Sequence, residues 1–137
     1  MAYWLMKSEP DAYSWDDLVR DGEGTWDGVR NHAAALHLKA MQIGDQALFY
    51  HSNIGKEAVG VMEISAVAHP DPTEPVGTRW VAVRVKPLAP LNRPIALSSF
   101  KSDSAFENMA MIRQSRLSVS PVSSTEWAQI MALAHMA

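Results

Sequence analysis

Polar residues able to do chemistry are concentrated where three apolar runs stop: Lys7-Ser8-Glu9, Trp26-Asp27-Gly28-Val29-Arg30-Asn31 and Tyr50-His51-Ser52-Asn53. Side chains at such points are exposed on a rigid frame, the usual placement of binding groups. If the three segments converge, they supply an aromatic wall, hydroxyl and amide groups, and cations. That inventory suits an unstacked nucleobase. Rings sandwich it, Asn31, Ser52 or Asn53 read its edge, and Lys7 and Arg30 hold phosphate. Each residue also has an ordinary role open to it: Trp26 in a core, Asn31 as a helix cap, Ser52 in a turn, Glu9 in a surface pair with Lys7 or Arg30.

Other chemistries find less support. The chain has no cysteine, which excludes disulfides, thiolate metal sites and thiol catalysis. His32 and His37 stand at i, i+5, which does not aim two imidazoles at one ion from a helix as the i, i+4 zinc spacing does. Neither a metal nor a cofactor is expected. His51 directly precedes Ser52, so on a strand the two point to opposite faces, a poor start for a nucleophile and its base. There is no G-x-S-x-G elbow and no Walker-type phosphate loop. Lys7 and Glu9 share a strand face if the first strand runs that far, and they form the one acid–base pair that the sequence offers.

The elements that must position these groups follow from periodicity. Tyr3-Trp4-Leu5-Met6-Lys7 reads as a buried strand stopped by Ser8-Glu9-Pro10. Ser14 with Asp17 forms a capping box for a short helix with Leu18 and Val19 facing inward, ending near Asp21-Gly22-Glu23-Gly24. Asn31 caps a second helix through Met41, with Leu36 and Lys39-Ala40 at helical spacing and Gly44 just past its end. Gln46 to His51 is apolar on both alternate sets and reads as a central strand, paired in a hairpin with Ala58 to Ala68 across Ser52-Asn53-Ile54-Gly55-Lys56. Pro70, Pro72 and Pro75 mark a loop. Trp80 to Lys86 alternates, with Val81, Val83 and Val85 inward and Arg84 and Lys86 outward. Pro87, Pro90 and Pro94 mark a second connector, and Leu97 to Lys101 a helical turn. Arg116 to Pro121 reads as a short strand. Ser123 to Glu126 is a capping box opening a last helix with Trp127, Ile130, Met131 and Ala134 as its apolar stripe. Helices set among mostly antiparallel strands predict an α+β domain or small open barrel rather than a βαβ sheet.

The 137 residues are the size of one domain, and 47% apolar with 20% charged residues is an ordinary globular composition. No run approaches the roughly 20 apolar residues of a membrane-spanning helix and no leader pattern opens the chain, so a cytoplasmic protein with no membrane partner is expected. A net charge of -3 argues against coating nucleic acid by charge alone. Its distribution is uneven: eight of the fifteen acids lie in residues 1 to 45, whereas Arg79 to Arg116 holds seven bases against Asp103 and Glu107. One face of the fold can therefore be basic.

Taken in order, Tyr3-Trp4-Leu5-Met6-Lys7-Ser8-Glu9-Pro10, Trp26-Asp27-Gly28-Val29-Arg30-Asn31 and Phe49-Tyr50-His51-Ser52-Asn53 closely resemble the signature segments of the EVE domain family. A fourth match runs from Asn108-Met109 through Arg113-Gln114-Ser115-Arg116-Leu117-Ser118-Val119 to Pro121. The resemblance spans nearly the whole chain as a single domain, in a form that looks bacterial. It implies an α+β, PUA-like fold, a small mixed and mostly antiparallel β pseudo-barrel flanked by helices, related to YTH and ASCH domains. It also implies nucleic-acid binding, with recognition of modified cytosines and similar bases in DNA or RNA. Carried over residue by residue, the implied pocket is Trp26, Asn31, Tyr50, Ser52 and Asn53, with His51 in the same segment. Lys7, Ser8 and Arg30 stand at its mouth and Arg113 or Arg116 near the phosphates. The chain departs from animal members after the Arg-Asn pair, where they tend to carry aromatic and basic residues and it reads His32-Ala33-Ala34-Ala35-Leu36. A contact from that helix is therefore not carried over.

The leading functional expectation is a monomeric, non-catalytic reader in which a modified base stacks on Trp26 or Tyr50, so that Trp26→Ala weakens binding and leaves the fold intact. A small hydrolase of modified nucleosides, ASCH-like and using Lys7 and Glu9, is the alternative. A ligand-binding or protein-interaction module that has kept the fold is a third.

Overall fold

Apolar residues on both alternate sets of Gln46 to His51 require cover on both sides of the strand they form, and the computed structural model, which describes residues 1–136, places that strand inside a six-stranded sheet. The elements in chain order are β1 (Tyr3–Ser8), α1 (Trp15–Asp21), β2 (Gly24–Trp26), α2 (His32–Ala40), β3 (Gln46–His51), β4 (Glu57–Pro70), β5 (Val81–Ala96), α3 (Leu97–Ser102), a 3-10 turn (Ser104–Phe106), α4 (Ala110–Arg113), β6 (Val119–Val122) and α5 (Ser124–Leu133). The sheet order is β2-β5-β4-β3-β1-β6. Every neighbouring pair is antiparallel except β1 with β3, which run parallel with Lys7 opposite Tyr50 and Ser8 opposite His51. A parallel pair needs a long crossover, and the segment holding α1, β2 and α2 supplies it.

Two apolar layers cover the sheet. Trp4, Met6, Ala47 and Phe49 face a cluster closed by α1 and α2 through Trp15, Leu18, Ala34 and Leu38. Leu5, Leu48 and Tyr50 point the other way, into a cluster with Phe100, Phe106, Met109, Trp127 and Ile130. Helix α2 packs on β6 at one edge as well as on β5 and β4 towards the other, so the sheet curls around it as in a pseudo-barrel. Both capping boxes form, Ser14 with Asp17 and Ser123 with Glu126, and Asn31 caps α2 by accepting from the Ala34 N–H. Asp45 pins the start of β1 by accepting from the N–H groups of Ala2 and Gln42 and from the Trp4 indole. Burial pushes the Asp45 carboxyl up, but those donors together leave it below the usual aspartate range.

Several local expectations need correction. β5 continues through Pro87, Pro90 and Pro94 to Ala96, where a connector is predicted. Beyond Val85 it has no β2 neighbour, and its pairing with β4 shifts register repeatedly. A strand edge with bulges tolerates the missing proline N–H groups. Val19, expected inward, is exposed, and α2 buries Ala34, Ala35 and Leu38 while leaving Leu36 exposed. Met41, not Gly44, caps the end of α2; Gly44, at φ 95°, donates to Ile64 O in the turn before β3. β6 begins at Val119 rather than Arg116, because a turn from Gln114 O to Leu117 N–H occupies the residues before it. The three-residue β2, the 3-10 turn and α4 are too short to show a period in the sequence.

The close approach of β4 to α1 depends on Gly60, where a Cβ would lie 2.5–2.6 Å from ring carbons of the buried Trp15. Gly60→Ala is expected to destabilise the fold by about 1–3 kcal/mol through overpacking, read as a lower urea midpoint with unchanged slope.

Candidate functional site

Parallel strands end on the same side of a sheet. Lys7-Ser8 and Tyr50-His51 therefore emerge together, and the Ser52 N–H donates to Ser8 O at 3.0 Å to hold the two exits side by side. Beside the β1 exit lies an open cavity of about 630 Å³ lined by Lys7, Ser8, Glu9, Tyr13, Trp26, Arg84 and their neighbours. Trp26 belongs to β2 at the far edge of the sheet, and only the curl of the sheet brings it here. Its ring meets Phe49 of β3 edge-on at 5.3 Å and is 7% exposed. It is a core aromatic that also forms cavity wall, so Trp26→Ala is no longer expected to leave the fold intact; such truncations cost about 3–5 kcal/mol.

The remaining wall is built by internal bonds. Ser8 Oγ donates to Tyr13 O at 2.6 Å, fixing the loop after β1, and Tyr13 Oη donates to Asp21 at 2.9 Å. Burial and the Asp21 carboxylate push the Tyr13 phenol up to about 12, so it stays a neutral donor. Gly24 has no room for a side chain, since a Cβ would meet Tyr13 Oη at 2.9 Å and Leu18 at 3.2 Å. Arg84 donates to Thr25 Oγ1 at 2.6 Å and to Glu23 at 3.0 Å, and Ser65 donates to the other Glu23 oxygen at 2.7 Å. The hydrogen bonds from Ser65 and Arg84 hold the Glu23 carboxyl below its usual range.

The sequence-predicted residues divide into groups. Lys7, Ser8 and Trp26 line the cavity, as does Glu9 of the alternative pair. Lys7 is half-buried, lies 5.9 Å from the Tyr50 ring and donates to Ser115 O at 2.9 Å. Burial lowers the pKa of its ammonium. Asn31, Arg113 and Arg116 line a second, shallower hollow of about 340 Å³ together with Ser115, so the Lys7–Ser115 bond lies between the two. Arg30, Tyr50, His51, Ser52 and Asn53 line neither. Tyr50 is 3% exposed and points into the opposite apolar layer. His51 accepts from the Trp15 N–H through Nε2 at 3.0 Å, capping α1 as a neutral imidazole. Burial lowers its pKa against the opposing pull of Glu57 and Asp16. Asn53 takes the turn conformation at φ 67°. Convergence of the three segments is thus real in the backbone, while Tyr50 is turned into the opposite apolar layer and His51, edge-on to Phe49, is taken up by the Trp15 N–H.

Arg30 is held by a group that the sequence does not single out. Buried Asp71 accepts from Arg30 Nη1 at 2.9 Å, from the Gly28 N–H at 2.9 Å and from Thr73 N–H and Oγ1 at 2.8 and 2.6 Å, while Glu74 pairs with Arg30 Nη2 at 2.9 Å. Burial pushes the Asp71 carboxyl up, but those donors outweigh it and hold it well below the usual aspartate range. Arg30 therefore latches the connector after Trp26 to the β4–β5 loop. The sequence signal was slight, an Asp before Pro in a proline-rich loop. Tyr13, Glu23 and Arg84 were also missed, since nothing in the spacing couples them to the β1 exit.

Chemically, the cavity carries the carboxylates Glu9, Asp21, Glu23 and Asp27 against the cations Lys7 and Arg84, both already hydrogen-bonded internally. It suits a neutral or amino-bearing ring better than an anion. Arg113 and Arg116, exposed and outside any salt bridge among the described residues, face the hollow next door.

Fold and site together define the class of protein, a mixed α+β PUA-like domain with a cavity at the end of its central strands. A YTH domain from Zygosaccharomyces rouxii, solved in complex with N6-methyladenosine RNA, shares this fold at a TM-score of 0.58 and 20% identity over 97% of this chain and 86% of that chain. The chain belongs to the EVE domain family, whose model matches residues 2–133. It is similar to human thymocyte nuclear protein 1, 31% identical over 96% of this chain and 73% of that protein. The structure of the human protein in complex with 5-methylcytosine-containing DNA superimposes with a TM-score of 0.92 at 30% identity, over 100% of this chain and 99% of that chain. A protein from Rhodopseudomonas palustris is 46% identical with a TM-score of 0.92, covering 98% of this chain and 94% of the other.

The Asp71 latch is directly testable. Asp71→Asn is expected to cost about 1–3 kcal/mol near neutral pH, because it removes the buried charged acceptor of four donors while Glu74 still pairs with Arg30. An aspartate held low in the folded state contributes stability that is complete above its unfolded-chain pKa and is lost as pH falls through its folded pKa. Urea midpoints of the two proteins should therefore converge only in strong acid.

Proposed function

We propose that this protein binds nucleic acid and accommodates a modified base of DNA or RNA in the cavity beside the β1 exit. The observation that carries the reading is the division of charge. A cavity walled by Trp26, Ser8 and Tyr13, rich in carboxylates, adjoins a hollow carrying Arg113 and Arg116. A base with an exocyclic amine fits the first and its phosphate the second. The DNA complex of the human relative, bearing 5-methylcytosine, supports the same class of ligand. Lys7, bonded to Ser115 between the hollows, then orients the strand rather than binding the base. Methylated cytosine is the favoured ligand and carboxylated cytosine a poor one, since an added anion meets Glu9 and Asp27, which make no salt bridge among the described residues.

A second reading, hydrolysis of a modified nucleoside, has one observation in its favour. Lys7, its ammonium pKa lowered by burial, and Glu9 line the same cavity.

Fluorescence-anisotropy titrations against single- and double-stranded DNA and RNA carrying unmodified, methylated, hydroxymethylated or carboxylated cytosine, at two salt concentrations, test the first reading. Preference for methylated over carboxylated cytosine is expected, together with several-fold weaker binding by Trp26→Phe, which keeps an aromatic ring against Phe49. Loss of a full stacking partner is worth about 1–3 kcal/mol per base, so the partial replacement should lose less. A folded protein that binds nothing on the panel would abandon the reader, and nucleoside turnover abolished in Glu9→Gln would put the hydrolase in its place.

A further inference from the structure

One largely exposed stripe of α2, in which Ala35 alone is buried, carries a separate group of side chains. His32, Ala35, Leu36 and Lys39 recur at i, i+3, i+4 and i+7, so they share one helix face. With Arg79 and Trp80 they line a hollow of about 170 Å³. The Trp80 ring stacks on His32 at 5.2 Å with planes 29° apart, and the Arg79 guanidinium sits 5.0 Å from the same ring. Arg30 also approaches Trp80, at 5.6 Å, but its charge is met by Asp71 and Glu74. Arg79 and Lys39 make no salt bridge among the described residues. Among the described residues the lining contains no carboxylate, so this hollow is cationic in a chain of net charge -3. Its position is equally informative. His32 is the residue after Asn31, which lines the hollow of Arg113 and Arg116, so the two cationic hollows meet at the first turn of α2.

We propose that this stripe is a second contact for nucleic acid, taking the sugar-phosphate backbone that flanks the bound base. Arg79 and Lys39 meet phosphates, and exposed Leu36 packs against a sugar. Trp80 holds Arg79 in place, and the Asp71 latch fixes the other end of the loop that carries them both. Cations contacting phosphate add affinity without reading sequence or modification. The proposal rests on the nucleic-acid reading above and extends it to a surface outside the base cavity.

The test uses the full chain and the Arg79→Gln/Lys39→Gln variant, both exposed positions. Each is titrated against DNA and RNA single strands of one sequence, with and without one 5-methylcytosine, from 50 to 200 mM salt. The variant is expected to bind about tenfold more weakly at low salt, with a slope of log affinity on log salt smaller by about 1.4, the loss of two single-strand phosphate contacts. The ratio of affinities for modified and unmodified strands should stay the same. Wild-type affinity and slope in the variant would overturn the stripe alone, leaving the base cavity standing. A changed ratio with an unchanged slope would also overturn it, by placing these residues in base recognition. No binding by the wild type to any of the strands would overturn both.

Discussion

The parallel pairing of β1 with β3 is the constraint on which the site depends. In an antiparallel pair the C-terminal ends of neighbouring strands lie at opposite edges, and Lys7-Ser8 would be a strand length away from Tyr50-His51. Parallel pairing sends both exits to one side, and β1 and β3 are buried on both faces, so their ends cannot drift. The cost is a long crossover, and the protein uses that crossover for a second purpose. It contains β2, which delivers Trp26, and α2, whose first turn separates the two cationic hollows. Architecture and site are thus made from the same segment.

Charge is partitioned rather than spread. Carboxylates gather around the cavity, while Arg113, Arg116, Arg79 and Lys39 lie outside it. The cations that do reach the cavity, Lys7 and Arg84, are tied to Ser115 O and to Glu23 and Thr25. A negative total charge is therefore compatible with a nucleic-acid ligand, because the groups that meet phosphate need not be the groups that meet the base. Asp71 shows the same economy from the other direction. It pairs with Arg30 and makes it a latch, setting the connector after Trp26 against the β4–β5 loop.

Elements with a strong local signal were legible in the sequence: the apolar run of β1, the doubly apolar β3, the alternation from Val81, and the caps at Ser14, Asn31 and Ser123. What escaped has a common physical origin. β5 keeps its pairing through Pro87, Pro90 and Pro94 because part of it lies at an edge, and edge status belongs to the sheet and not to the strand. Leu36 is exposed because α2 turns its alanines to the core, allowing the close packing that the curled sheet requires.

The site divides in the same way. From residue types and their order alone came the family, the three polar strand ends and the presence of Lys7, Ser8 and Trp26 among candidate binding groups, since these are properties of short contiguous segments. Tertiary structure alone decided which side of each strand end faces the cavity. Tyr50 was committed to an apolar layer, His51 to the Trp15 N–H and Arg30 to Asp71, while Tyr13, Glu23 and Arg84 were brought in from elsewhere. The reason is geometric. A contiguous segment specifies its own backbone path, but a side chain one residue along a pleated strand points to the opposite face, and the partner it meets there comes from chain distant in sequence.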